Sequence, residues 1–148
     1  MNIEVRITRL PHGHDLPLPA YQTPLAAGMD LMAAVPAETP LTIAAGGRAL
    51  VPTGVAIEFP LGYDAQVRPR SGLSLKGVGV AFGTVDADYR GELFVTMWTF
   101  GAADSYELHD GDRIAQLVFA ALAPVVVTEV TELTSTARGD GGHGSTGR

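Results

Sequence analysis

Apolar and polar residues alternate along much of the chain. Over residues 3–7, and again over residues 93–98, bulky apolar side chains occupy every second position. A period of two places successive side chains on opposite faces of a strand. Only Ser71–Lys76 has the pattern of a helical turn. Further short apolar stretches suited to strands lie at Ala49–Val51, Val55–Phe59, Ile114–Ala121 and Val125–Val130.

Glycine and proline interrupt these stretches at short intervals. The chain contains 18 glycines and 10 prolines, which leave little room for long helices and favour many strands joined by turns. With 148 residues and 46% hydrophobic composition, the chain is long enough to bury one core as a single domain. We therefore predict an all-β fold, closed as a barrel or stacked as a jelly-roll sandwich so that both sheets are covered.

Charge and composition exclude several classes of function. The net charge is −6, which argues against general nucleic-acid binding, because a polyanion is normally met by a basic surface. No apolar run is long enough to cross a membrane, and the N-terminus lacks the pattern of a signal peptide. The absence of cysteine suits a reducing compartment. We expect a cytoplasmic protein with no nucleic-acid or membrane partner.

Five ordered segments carry the candidate chemistry. They are Ala27–Leu31 (AGMDL), Pro69–Leu73 (PRSGL), Gly83–Glu92 (GTVDADYRGE), Gly111–Leu117 (GDRIAQL) and the glycine-rich stretch from Arg138 to Arg148. Together they resemble the motifs of the trimeric deoxyuridine triphosphatase (dUTPase) family over nearly the whole chain. All five in this order and at compatible spacing would be very improbable by chance.

The resemblance implies a fold, an assembly and a reaction. The fold would be a jelly-roll-like distorted β-barrel, forming a homotrimer with a flexible C-terminal arm. Residues 1–137 would form the barrel, and residues 138–148 an arm that closes a neighbouring subunit's site. The reaction would be Mg²⁺-assisted hydrolysis of dUTP to dUMP and pyrophosphate, which clears dUTP from the nucleotide pool and supplies dUMP for thymidylate synthesis.

Residues of the first, second and fourth motifs are expected to face the triphosphate. Asp30 lies in an apolar stretch and needs a partner, either a structural ion pair or, as the resemblance implies, water molecules on Mg²⁺. Arg70 and Ser71 open the helical turn and, with Gly72, would bind phosphate oxygens. The alternative is a helix cap by Ser71 with Arg70 solvated. Gln116 would add a contact to phosphate or to metal-bound water.

The third motif holds the expected catalytic residue. By resemblance, Asp86 is the general base that activates water for attack on the α-phosphate and contacts the sugar 3′-hydroxyl. Tyr89 would pack under the deoxyribose and exclude a 2′-hydroxyl, the alternative being a core tyrosine. Val85 is expected among the substrate-binding residues, and Asp88 is interpreted as a turn former.

The arm and the preceding hairpin contain the departures from the family pattern. Arg138, Gly144, Ser145 and Thr146 would bind the phosphates, and His143 stands where the family usually has the phenylalanine that stacks on uracil. The segment Gly77–Val85 is expected to form a shortened hairpin near the base, without the usual asparagine, so that selectivity against dTTP is weakened.

Two other functions compete with this interpretation. One is a deaminase acting on dCTP with the same fold, which needs a glutamate in a different motif context. The other is a non-catalytic nucleotide sensor, which need not keep the residues that activate water. A pyrophosphate-release assay would separate the three.

Overall fold

Strands make up almost all of the regular structure in a computed structural model that describes residues 2–102, 104–144 and 147. The elements are β1 (Arg6–Arg9), a 3₁₀ turn (Pro11–Gly13), β2 (Met29–Met32), β3 (Leu41–Ile43), β4 (Arg48–Glu58), β5 (Tyr63–Arg68), α1 (Ser71–Leu75), β6 (Val78–Val80), β7 (Gly83–Val85), β8 (Glu92–Thr99), β9 (Tyr106–Leu108) and β10 (Arg113–Ala121).

The strands form two four-stranded antiparallel sheets and one small pair. The first sheet has the order β1-β4-β8-β6 and the second β2-β10-β5-β7, while β3 pairs with β9. Non-sequential neighbours in both sheets suit a jelly-roll-like architecture, so the predicted fold class is confirmed. No helix in the described part of the chain is long and apolar enough to span a membrane.

One hydrophobic core holds the two sheets together. Val95 and Met97 of the first sheet and Leu31 and Leu117 of the second are completely or almost completely buried in a single cluster. Along β8 the buried residues alternate with exposed ones, so the period of two in the sequence reports the face that packs inward. The apolar stretches around Pro52 form one strand, β4, which contains a register shift between Pro52 and Ala56.

Three local predictions are corrected by the structure. The first strand begins only at Arg6, because its partner on β4 ends at Glu58. Val125–Val130 is no strand; the chain leaves the sheet at Ala121, and residues 121–140 are exposed. Gly77–Val85 is no hairpin: β6 pairs with β8 in one sheet and β7 pairs with β5 in the other. The chain crosses between the sheets at this point.

Candidate functional site

Asp30 is the centre of a charged cluster on the second sheet. Its carboxylate, 5% exposed, lies 3.7 Å from Arg70 Nε and 3.6 Å from Arg113 Nη1. Arg70 Nη1 also donates a hydrogen bond to the Arg113 carbonyl at 2.9 Å, which fixes one arginine against the other. Two guanidinium groups contact one buried carboxylate. The Asp30 cluster (Asp30, Arg70, Arg113 and Gln116) therefore has positive charge available for an anion.

The sheet register positions Gln116 beside this charge. Gln116 on β10 is paired with Asp30 on β2, and directly opposed residues of antiparallel strands project to the same face. Gly28 permits this approach, since a Cβ there would lie 3.1 Å from the Gln116 Cβ. The first and fourth motifs therefore meet because β2 and β10 are neighbours.

The second motif reaches the cluster through α1. Arg70 is the N-cap residue in extended conformation, and Ser71 is the exposed first residue of the helix. Ser71 is thus not the cap, and the alternative with a solvated Arg70 is wrong because the Arg70 guanidinium is engaged by Asp30. The first backbone N–H groups of a helix lack intrahelical partners, so those near Ser71 and Gly72 can donate to an anion.

Tyr106 is the one described side chain with a resolved change in proton affinity. Burial raises the pKa of its hydroxyl, the Asp112 carboxylate raises that pKa further, and the Arg70 guanidinium opposes both. The tyrosine therefore stays neutral and able to donate a hydrogen bond across the physiological pH range.

Asp86 and Tyr89 lie together at a second location, a cleft of about 240 Å³. The cleft is lined by Val67, Gly83, Thr84, Val85, Asp86, Tyr89, Glu92, Leu93 and Phe94. Asp86 follows the end of β7 and is exposed, so its carboxylate is free to meet a ligand. Asp88 lies in the next turn, as predicted, and the turn is closed by a 3.1 Å bond from Tyr89 N to Asp86 O.

Tyr89 belongs to the surface of the cleft and not to the core. It is 43% exposed, and its hydroxyl donates to the Glu92 carbonyl at 2.9 Å. Its ring lies over Gly91, where an added Cβ would be 2.4 Å from the tyrosine oxygen. The core-tyrosine alternative is therefore wrong, and the ring presents a flat surface next to Asp86.

The arm makes only local hydrogen bonds among its described residues. Arg138 Nε donates to the Gly141 carbonyl at 2.8 Å, and Gly139 N donates to Thr136 Oγ1 at 3.1 Å. His143 has a φ of 50° and Gly144 a φ of 88°, so two successive residues are left-handed. Ser145 and Thr146 lie outside the described residues.

Within one chain the predicted site residues form three separate groups. Asp30 lies on β2 and Val85 on β7, the two edges of a four-stranded sheet. Three strand spacings separate these edges by about 14 Å, and a register offset of three residues adds about 10 Å along the strands. Arg138, His143 and Gly144 of the arm are a third group, exposed beyond the last strand. One subunit therefore does not bring Asp86 within reach of an anion held by the Asp30 cluster.

The side-chain oxygens of the Asp30 cluster suit a cation that keeps its water shell better than a cation bound directly by protein side chains. The described residues contain no group of three or more His, Asp or Glu side chains arranged to hold a metal ion. The Asp30 carboxylate, with the Gln116 amide beside it, can accept hydrogen bonds from the water shell that Mg²⁺ usually keeps. These residues fit Mg²⁺ if the other ligands are water and phosphate oxygens.

Sequence reasoning missed three residues of these groups. Arg113 lies inside the fourth motif, but its contact with Asp30 depends on the pairing of β2 with β10. Glu92 and His12 form a side-chain hydrogen bond near the cleft, with 2.6 Å between Glu92 Oε1 and His12 Nε2. They are 80 residues apart, and no periodicity in the sequence connects them.

Sequence comparisons agree with these motifs. The family model described as dUTPase matches residues 14–147. A protein of Methylocella silvestris named deoxyuridine 5'-triphosphate nucleotidohydrolase is 52% identical over 148 residues, covering 98% of this chain and 92% of the relative. A protein of Rhizobium meliloti with the same name is 52% identical over 145 residues, covering 95% and 89%. These relatives do not favour the deaminase or sensor alternatives.

Solved structures show the same fold. The dUTPase of Staphylococcus bacteriophage 80alpha with dUPNHPP superposes with a TM-score of 0.83 at 25% identity, covering 98% of this chain and 99% of that one. A mutant DUTPase from phage phi11 of S. aureus, described with a structural Mg(II) ion, gives a TM-score of 0.76 at 22% identity over 89% of this chain and 99% of that one.

Proposed function

The chain belongs to the dUTPase family, and from this premise we infer that it hydrolyses dUTP to dUMP and pyrophosphate with Asp86 as the general base. The observation that carries this assignment is the exposed Asp86 carboxylate beside the Tyr89 ring in one cleft. This role clears dUTP from the soluble nucleotide pool of the cytoplasm and provides dUMP for thymidylate synthesis.

Asp86 accepts a proton from the water molecule that attacks the α-phosphorus. The bond from water oxygen to phosphorus forms while the bond to the oxygen bridging the α- and β-phosphates breaks, and pyrophosphate leaves with those electrons. The base mainly positions the nucleophile, since the developing charge lies on phosphate oxygens. Val85 lines the same cleft and contributes to nucleotide binding, while Tyr89 supports the sugar and rejects a 2′-hydroxyl.

The Asp30 cluster binds the triphosphate. Arg70 neutralises phosphate charge, and Ser71 and Gly72 donate hydrogen bonds from the start of α1, with Ser71 near the bridging oxygen. Asp30 and Gln116 would hold Mg²⁺ through its water molecules, and the cation would supply charge neutralisation for the phosphates. Arg113 holds Asp30 in place, as its 3.6 Å contact with the carboxylate supports.

Each complete site uses three chains of a homotrimer. The distance between the Asp30 cluster and Asp86 within one chain supports a site in which two subunits supply these groups. Exposed apolar residues beyond β10 support an assembly that covers them: Val126 and Val127 are each 90% exposed.

The arm, residues 138–148, closes a site on neighbouring subunits, while residues 1–137 form the barrel unit. Arg138, Gly144, Ser145 and Thr146 bind phosphate, and His143 stacks on the base. The left-handed φ of Gly144 supports close approach of backbone N–H groups to an anion. Ordering this glycine-rich segment costs conformational entropy, which the bound triphosphate offsets.

Pyrophosphate release from dUTP, dCTP, dTTP and UTP tests the assignment. We expect dUTP to have the highest kcat/KM, since cytosine presents a donor where uracil presents an acceptor and would leave buried groups unpaired. A buffer series with Mg²⁺ and with a chelator gives the metal requirement. Hydrolysis of dCTP in preference to dUTP, or binding without pyrophosphate release, would contradict the proposed function.

His143→Phe is expected to keep or improve dUTP binding. The phenyl ring provides the same flat surface and has no polar ring nitrogens that must lose water when it stacks, so the KM for dUTP should fall by about two- to threefold. Steady-state kinetics with dUTP provide the measurement. His14→Phe, at an exposed position in the N-terminal segment, is the matched control. A KM raised in His143→Phe would contradict stacking on the base as the role of His143.

A further inference from the structure

Glu92 joins three parts of the chain next to the Asp86 cleft. Its side chain is 10% exposed, and its Oε1 atom accepts two hydrogen bonds, from His12 Nε2 at 2.6 Å and from Gly54 N at 2.8 Å. Hydrogen bonds to a carboxylate are short and strong compared with those between neutral groups. We call His12, Gly54 and Glu92 the Glu92 network.

Close backbone packing holds His12 in this position. Gly54 has a φ of 69°, and a Cβ there would lie 2.4 Å from the Gly13 Cα. Leu10 N donates to the Gly54 carbonyl at 2.8 Å. Only glycine permits this contact at both positions, since a side chain would collide with the opposite backbone. The 3₁₀ turn therefore packs against β4 at its register shift, and this packing places His12 in contact with Glu92.

The other side of Glu92 holds Tyr89. The Glu92 carbonyl accepts the tyrosine hydroxyl at 2.9 Å, and Gly91 lets the ring lie on the backbone. Arg90 Nη1 donates to the Ala87 carbonyl at 2.7 Å and to the Tyr89 carbonyl at 3.1 Å, which links the residues of this loop at the surface. The position of the ring in the cleft is thus fixed by the backbone of Glu92, which the network fixes in turn.

We propose that Glu92, held by His12 and Gly54, is a positioning residue that sets the Tyr89 ring against the sugar, so that the N-terminal turn contributes to rejection of ribonucleotides. This inference rests on the proposed role of Tyr89 in dUTP hydrolysis. Exclusion of one hydroxyl depends on ring placement to a fraction of an ångström. Loss of the network lets the start of β8 relax, and the ring then makes room for a 2′-hydroxyl.

The test compares kcat/KM for dUTP and UTP in the parent, His12→Ala, Glu92→Ala and Glu92→Gln enzymes. We expect the dUTP to UTP ratio to fall about 5-fold in His12→Ala and about 10-fold or more in Glu92→Ala. Glu92→Gln keeps an acceptor for Gly54 N and should retain most of the ratio. His109→Ala is the matched control, since it removes a histidine–glutamate pair with 2.9 Å between His109 Nε2 and Glu107 Oε1 and should leave the ratio unchanged.

The ratio separates positioning from a purely structural role. A structural role alone lowers kcat/KM for both nucleotides equally, and an unchanged ratio in His12→Ala and Glu92→Ala would overturn the proposal. If Glu92→Ala does not fold, His12→Ala decides by the same measure, with Glu92→Gln as the variant expected to keep the ratio. A parent that hydrolyses dUTP and UTP equally would overturn the role of Tyr89 and this inference together. A selective parent with equally selective variants would overturn this inference alone.

Discussion

Asp86→Asn is expected to lower kcat for dUTP by about 10²- to 10⁴-fold, the usual contribution of a general base. The amide has nearly the same shape as the carboxylate but cannot accept the proton of the attacking water. Asp86 follows the end of β7, and its exposed side chain supports no core residue. The free energy of unfolding should therefore be unchanged. Pyrophosphate release measures kcat, and binding of a non-hydrolysable dUTP analogue should remain within about twofold. Asp88→Asn, in the adjacent turn, is the control.

The same variant tests whether subunits share each site. Asp86→Asn and Arg70→Ala chains, each inactive alone, are co-expressed with different tags and purified as mixed trimers. If Asp86 and Arg70 of one site come from different chains, each mixed trimer contains one intact site out of three, so about one third of the parent activity returns. If one chain supplies both residues, mixing restores nothing. Parent-level activity in Asp86→Asn itself would show that another group activates the water.

Removal of residues 138–148 is expected to reduce kcat/KM for dUTP by about 10²-fold or more while leaving the thermal unfolding midpoint unchanged. The loss follows from missing phosphate donors and an open site. The midpoint is preserved because the described arm residues contribute nothing to the core, and their hydrogen bonds reach no further than Thr136, just before the arm. Steady-state kinetics and thermal unfolding of a chain ending at Ala137 provide the measurements.

Limited proteolysis of the intact protein gives an independent measure of arm closure. A non-hydrolysable dUTP analogue with Mg²⁺ should slow cleavage after Arg138, since the closed arm is less accessible to the protease. The exposed Arg48 at the start of β4 provides a reference cleavage position that the nucleotide should not protect. Equal cleavage rates at Arg138 with and without the analogue would contradict closure.

Local sequence patterns predicted much of the fold for an identifiable reason. Alternation along β8 reports which side chains face the core. The apolar stretch from Ile114 to Ala121 matches β10, although Ile114 and Ala115 are both buried because the strand has a register shift there. The turn at Asp88 and the helix after Arg70 depend on a few adjacent residues, so both were predictable. Val125–Val130 had the composition of a strand but pairs with no strand among the described residues of its own chain. Composition cannot supply that partner.

The sequence by itself determined the all-β class and, through the five motifs, the family and its reaction. Tertiary structure decided which of those residues meet. Asp30 joins Arg113 because β2 pairs with β10, whereas Gly77–Val85 crosses between sheets because its two strands have different partners. The contact between His12 and Glu92 likewise depends on two glycine backbones packing together. Strand pairing and backbone packing join residues distant in sequence, and local propensity contains no information about such partners.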